Sequence, residues 1–296
     1  MKRTMIFILL SALMFTYAYA QEEEMTLEKI VVTSTRSTES IKNAPNDITV
    51  ITEADIEMDK DKTIPDILRE KAGIMVKEYS AGNAKQANID IRGFGETGLS
   101  NVLVMVDGRR VTQIDLSGTD WAQIPLADVE RIEVIRGAAS VFYGDNASGG
   151  VINIITREGR RKPSLEITSE TGSYSSYDNR LQYSGAYDNF NYYSLARHYE
   201  SKGYRANNAI KTNDFDVKLG YKPLDAFKAK LSMGYHQDEY GLPGALNDAQ
   251  INSLGRRASV KPFDNAKSMD YFGNLMLEND LEEKGKFITD ISMRVR

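Results

Sequence analysis

The groups in this sequence that could carry acid–base or metal chemistry are a few carboxylates and two histidines. Asp107, Glu133 and Asp145 stand out among the acids, and His198 and His236 are the only imidazoles. Each has a plainer role in its own neighbourhood. Asp107 precedes Gly108, and Asp-Gly is a hairpin-turn signal. Asp145 sits between Gly144 and Asn146, residues suited to tight bends. Glu133 falls inside an alternating strand, and both histidines lie in strand-like runs. General acid–base or metal catalysis needs such groups to converge, and their spacing offers no convergent set. There is no cysteine, which excludes a disulfide, a thiolate–metal site and a lipoprotein anchor. Arg92 and Arg136 each precede a glycine at the end of a β-patterned run. A buried guanidinium requires carboxylate partners.

The elements that must position these residues are clearest between Ile124 and Glu158. Ile132, Val134 and Arg136 alternate with Arg131, Glu133 and Ile135, a strand with one apolar-leaning face. Gly137 stops it, and Ala138 to Tyr143 fit one small turn. Gly144, Gly149 and Gly150 bend the loop, and Val151 to Thr156 form a second, β-branched strand.

Residues 44–160 read as one small α+β domain. Pro45 to Ile51 is a strand. Thr52 with Asp55, and Thr63 with Asp66, are capping-box starts. The second opens a helix with Ile64, Ile67 and Leu68 on one face and Gly73 as its stop. Ile74–Lys77, Asn88–Arg92 and Val102–Val106 are short strands, and Arg109–Thr112 follows the Asp107-Gly108 turn. The loops at 79–87, 95–101 and 113–121 are polar and glycine-bearing.

Beyond Arg160 the texture changes. Twelve of the sixteen tyrosines lie there, and alternation takes over. Phe215, Val217, Leu219 and Tyr221 alternate with Asp216, Lys218 and Gly220. Phe227, Ala229, Leu231, Met233 and Tyr235 alternate with Lys228, Lys230, Ser232, Gly234 and His236. Greasy and polar faces with aromatics at the strand ends are the signature of a transmembrane β-barrel with a wet lumen. Seven strands are expected, near 164–172, 177–187, 190–199, 214–222, 226–237, 269–278 and 286–296. Tight turns at 188–189, 223–225 and 281–285 alternate with long loops at 200–213 and 238–268. A barrel of roughly 22 strands needs ~220 residues before any loop. Residues 161–296 therefore read as the N-terminal portion of a barrel, incomplete, whose open edges would aggregate on their own.

Met1 to Ala20 reads as an export signal: Lys2 and Arg3, an apolar core, then Ala18-Tyr19-Ala20 as the cleavage site. The apolar run is too short to span a membrane, so a membrane form must be a β-barrel. The formal net charge is −5, and loss of Lys2 and Arg3 makes the mature chain more acidic. That argues against a nucleic-acid partner.

The run from Glu130 to Thr156 closely resembles the end of the plug domain of TonB-dependent outer-membrane receptors. The matching residues are Glu130, Arg131, Ile132, Glu133, Val134, Arg136, Gly137, Ser140, Tyr143, Gly144, Ala147, Gly149, Gly150, Val151, Ile152, Asn153, Ile154 and Thr156. Asn88 to Phe94 and Val102 to Gly108 also resemble plug motifs. The resemblance implies a plug at 44–160 inside the barrel begun at 161–296, preceded by a mobile leader at 21–43. Within the leader, Glu28, Lys29, Ile30, Val31, Val32, Thr33 and Ser34 look like a TonB box, an extended segment that adds as a strand to a partner's sheet edge. The resemblance further implies that Arg92, Arg136, Glu130 and Glu133 make plug–barrel contacts, the arginines through glutamates on later strands. Ser80, Asn83, Gln86, Glu96 and Trp121 become candidate ligand contacts on outward-facing apices. The implied partners are TonB, outer-membrane lipid and a scarce ligand, a ferric siderophore or cobalamin; no cofactor and no covalent chemistry are implied. A passive porin or adhesin barrel, and a periplasmic enzyme with a β-rich accessory half, are the alternative readings.

Overall fold

The computed structural model describes residues 30–31, 39–40, 47–79, 85–113, 118–282 and 285–296. The signal segment and most of the leader lie outside the described residues, and so do Ser80 and Asn83. In the leader, strand β1 (Ile30–Val31) pairs antiparallel with β2 (Glu39–Ser40), Ile30 opposite Ser40.

The first unit is an α+β body. Strand β3 (Asp47–Ile51) leads into helix α1 (Glu53–Met58) and helix α2 (Ile64–Ala72). Both helices start on complete capping boxes, Thr52 with Asp55 and Thr63 with Asp66, so the first free amides are satisfied locally. Gly73 ends α2 at φ 62°, a left-handed conformation that glycine adopts without a Cβ penalty. Strands β4 (Met75–Glu78) and β5 (Ala87–Asp90) form a separate hairpin. After the short helix α3 (Gly98–Asn101) come β6 (Val102–Val106) and β7 (Arg109–Arg110), joined through Asp107 and Gly108, both at positive φ. Strand β8 (Val129–Arg136), the short helix α4 (Ser140–Tyr143) and β9 (Gly150–Thr156) complete the body.

Its five strands lie in the order β3-β8-β9-β6-β7, with β6 and β9 parallel and every other pair antiparallel. One face carries Ile51, Ile132, Val134, Ile152 and Ile154 onto Ile67 and Leu68 of α2. The other carries Leu103, Met105, Ile135 and Val151 onto Tyr143 of α4. The expected one-faced strand at 131–136 is thus corrected. Ile132 and Ile135 are both fully buried, because β8 is a central strand covered on both sides.

The second unit is one open antiparallel sheet of seven strands in sequence order. These are β10 (Ser164–Gly172), β11 (Ser176–Tyr187), β12 (Phe190–Ser201), β13 (Ile210–Leu224), β14 (Phe227–Gly241), β15 (Asn265–Asp280) and β16 (Lys286–Val295). A cross-strand row of Leu219, Leu231, Leu275 and Ile291 runs along the outward face, and Phe215, Tyr235, Tyr271 and Val295 form another. The inward face opposes Arg197 to Asp214 and His236 to Asp270. The strands run further than the sequence suggests. The loops shrink to 202–209 and 242–264, the second holding helix α5 (Asp248–Leu254). Asp238, Glu239 and Tyr240 continue β14 because their pairing with β15 is unbroken. Among the described residues no helix is long and apolar enough to cross a membrane, which says nothing about strands.

Candidate functional site: the seam between plug and wall

The polar face of the sheet is turned to the α+β body, and the two meet through charge. Near the short-turn end, Lys218 of β13 donates to Asp128 at 2.6 Å and to the Arg157 carbonyl at 3.3 Å. Lys230 of β14 lies 2.9 Å from Glu158 and 3.5 Å from Asp107. Further along, Arg109 stacks on Phe272 of β15 at 3.9 Å. Arg294 of β16 holds Asp270 and donates to Gln123 at 2.9 Å. Near the long-loop end, Lys85 donates to Asp120 at 2.7 Å and to Ser268 at 2.9 Å, and also to Asp238. In this seam the body supplies acids at one end and a lysine at the other.

Electrostatics follow from that geometry. Burial pushes the Asp107 carboxyl up, but Lys230 and Lys218 outweigh it and hold it below the usual carboxylate range. Glu158 is likewise lowered, burial being overcome by Lys230 and Lys228. Burial, with Arg294 nearby, brings Arg109 down to about 10. A cavity of about 30 Å³ lies between Asp107, Arg109, Gln123, Asp128, Asp216 and Ser232, room for a water or two. Asp120, His236 and Asp238 bring potential ligand atoms within 4.8 Å of one another. The same carboxylates bind the Lys85 ammonium, and Asp214 accepts from His236 Nδ1 at 2.6 Å.

The residues singled out in the sequence are placed as follows. Glu96 is exposed, paired with Lys77, and accepts from the Tyr79 hydroxyl at 2.7 Å. Those two partners hold its carboxyl below the ordinary value. Gln86 is exposed at the end of the β4–β5 hairpin, bridging to Asp120. Trp121 is corrected: it is 3% exposed in the hydrophobic core, its indole donating to the Ala87 carbonyl, so it cannot face a ligand here. Arg136 donates to Thr49 at 2.6 Å and to the Ala72 carbonyl at 2.5 Å. Glu130 and Glu133 both accept from Arg131. Arg92 is exposed, its guanidinium lying against Gly137. Of the candidate TonB box, Ile30 and Val31 are the described residues. The seam lysines Lys85, Lys218 and Lys230 were missed. Their signal was available for the last two: polar residues in register on the inward side of otherwise greasy strands.

An α+β body seated by ion pairs on the polar side of a sheet whose other side is greasy is the architecture of a plugged outer-membrane barrel. Residues 40–151 match the TonB-dependent Receptor Plug Domain family, and the chain is similar to TonB-dependent receptors over their plug and first barrel strands. It is 29% identical over 273 residues, 87% of this chain and 44% of the relative, to the vitamin B12 transporter BtuB of Photobacterium profundum. It is 34% identical over 174 residues, 58% of this chain and 28% of the relative, to BtuB of Vibrio cholerae serotype O1. The ferripyoverdine receptor of the outer membrane of Pseudomonas aeruginosa, bound to ferripyoverdine, superposes with TM-score 0.68 at 21% identity, over 88% of this chain and 36% of that one. The chain thus spans less than half the length of these relatives.

Proposed function

We propose that this receptor takes up a scarce ligand across the outer membrane, a corrinoid such as vitamin B12 or a ferric siderophore, with energy delivered by TonB. The supporting observation is the seam. A folded body fills the polar side of the sheet and is held by ion pairs rather than a shared hydrophobic interior. A passive porin has no use for such a stopper. The transporters and receptors that it resembles bind vitamin B12 and ferripyoverdine, which sets the two ligand classes to test.

In this reading residues 1–20 are the export signal, 21–43 the leader, 44–160 the plug and 161–296 the opening of the barrel. TonB engages Glu28 to Ser34, and Val31 contributes a backbone donor to the added strand. Val31→Pro removes that donor, so uptake of labelled ligand should fall to background while ligand binding stays at the wild-type level. Equal loss of binding would sink the assignment. Uptake of cyanocobalamin against a panel of ferric siderophores by cells carrying the receptor decides the ligand class. Arg92 is then available to barrel glutamates, while Arg136 is engaged within the plug, and Gln86 and Glu96, with Ser80 and Asn83, are available to the ligand.

A further inference from the structure

Lys85 is the one plug lysine in the described seam, and its surroundings are built for it. Its side chain is 3% exposed, Asp238 is fully buried and Asp120 nearly so. An ammonium is costly to bury without counter-charges, and here it has two carboxylates, the Ser268 hydroxyl and the Tyr240 ring at 4.7 Å. Asp120 belongs to the plug, while Asp238, Tyr240 and Ser268 belong to β14 and β15. One nitrogen therefore joins the two units.

The backbone of the same residue carries the join inward. The Lys85 carbonyl accepts from the Trp121 amide at 3.1 Å, and Gln86 bridges to Asp120. The Tyr79 amide donates to the Gln86 carbonyl at 3.0 Å. Tyr79 in turn holds Glu96, which holds Lys77. The β4–β5 hairpin is not part of the five-stranded plug sheet, so its end has no ladder to that sheet. Its exposed residues Tyr79 and Gln86 are held to the plug by these backbone bonds and to the wall through the Lys85 ammonium.

We infer that Lys85 is a positioning residue: its ammonium pins the end of the β4–β5 hairpin to β14 and β15 and fixes the place at which Tyr79, Gln86 and Glu96 meet a ligand. This rests on the transport reading for its consequence, though not for the pin itself. A pre-placed surface binds without first being ordered, so loss of the pin weakens capture and leaves the driven step alone.

Two variants separate a pin from a merely buried pair. Lys85→Met with Asp238→Asn removes the ammonium and its wall carboxylate at similar volume and leaves Asp120 paired with Arg296, and Lys85→Arg keeps the cation. Residues 1–296 contain no cysteine. In outer-membrane vesicles, a nitroxide on Gln86→Cys, read against the same labelling of the receptor without that cysteine, reports the hairpin end directly. Its spectrum should sharpen in the double variant and stay as wild type in Lys85→Arg. An unchanged spectrum in the double variant overturns the inference. With cyanocobalamin as probe, the half-saturating concentration for uptake should rise about tenfold, equivalent to ~1.4 kcal/mol, at an unchanged maximal rate. An unchanged half-saturation, or a loss confined to the maximal rate, also overturns it. If the wild-type receptor takes up no cyanocobalamin, that ligand assignment fails, and the nitroxide result alone decides the pin.

Discussion

Asp128 of the plug and Lys218 of the wall are buried together, with the ammonium nitrogen 2.6 Å from the carboxylate oxygen. Ninety residues of chain separate them, yet each is the other's counter-charge. Removing one partner leaves a stranded charge, which costs more than removing both.

Asp128→Asn alone should therefore destabilise the seated plug by ~3–5 kcal/mol, and Asp128→Asn with Lys218→Met should recover at least half of that. Trp121 is the single tryptophan of these 296 residues and lies in the plug core, so its fluorescence, read against a Trp121→Phe control, reports plug unfolding. Urea titrations of the three receptors in detergent check the order. A double variant as unstable as the single one would contradict it.

Asp90 is a buried carboxylate that organises the turn after β5. It accepts from the amides of Arg92 at 3.1 Å, Phe94 at 2.9 Å and Gly95 at 2.6 Å. Burial pushes its carboxyl up, but those amides outweigh burial and hold it below the ordinary value. The stability that it contributes is fully present above the unfolded pKa of about 3.9 and drains away as pH falls through the lower, folded value. Asp90→Asn should cost ~2 kcal/mol at pH 7 and flatten the loss of stability as pH falls below about 4. Parallel acid titrations followed at Trp121 test this.

Met233 faces outward in a cross-strand row with Val217, Gly273 and Met293, while its neighbour Ser232 is buried against the plug. Met233→Arg should cost ~2–4 kcal/mol if that row lies at mid-membrane. Ser232→Ala removes a buried hydroxyl that has no hydrogen-bond partner among the described residues and should change stability by less than about 1 kcal/mol. Folding equilibria in lipid bilayers measure both, and equal effects would reverse the assignment of faces.

Local patterns carried much of this architecture. Alternation at 215–221 and 227–236 marked the two faces, and Thr52, Thr63 and Gly73 marked the helix ends, since each signal is complete within a few residues. Helix α5 was missed although Asn247 and Gln250 form a capping box; it lies inside a loop with no apolar stripe to support it. Trp121 was misread because its loop is polar in composition, while its burial is decided by Ala87 and the body behind it. Lys85 could not be read at all: its partner Asp238 is 153 residues away, and nothing local distinguishes a pinned lysine from a solvated one.

The place of β3 has a mechanical consequence. It lies at the rim of the five-stranded sheet and pairs with it through five rungs, Asp47 to Ile51 against Arg136 to Ile132. A force applied at the leader would load these five rungs before β8, β9 or β6. Arg136, stitched to Thr49, Asp47 and the end of α2, is the rivet that resists the first slip.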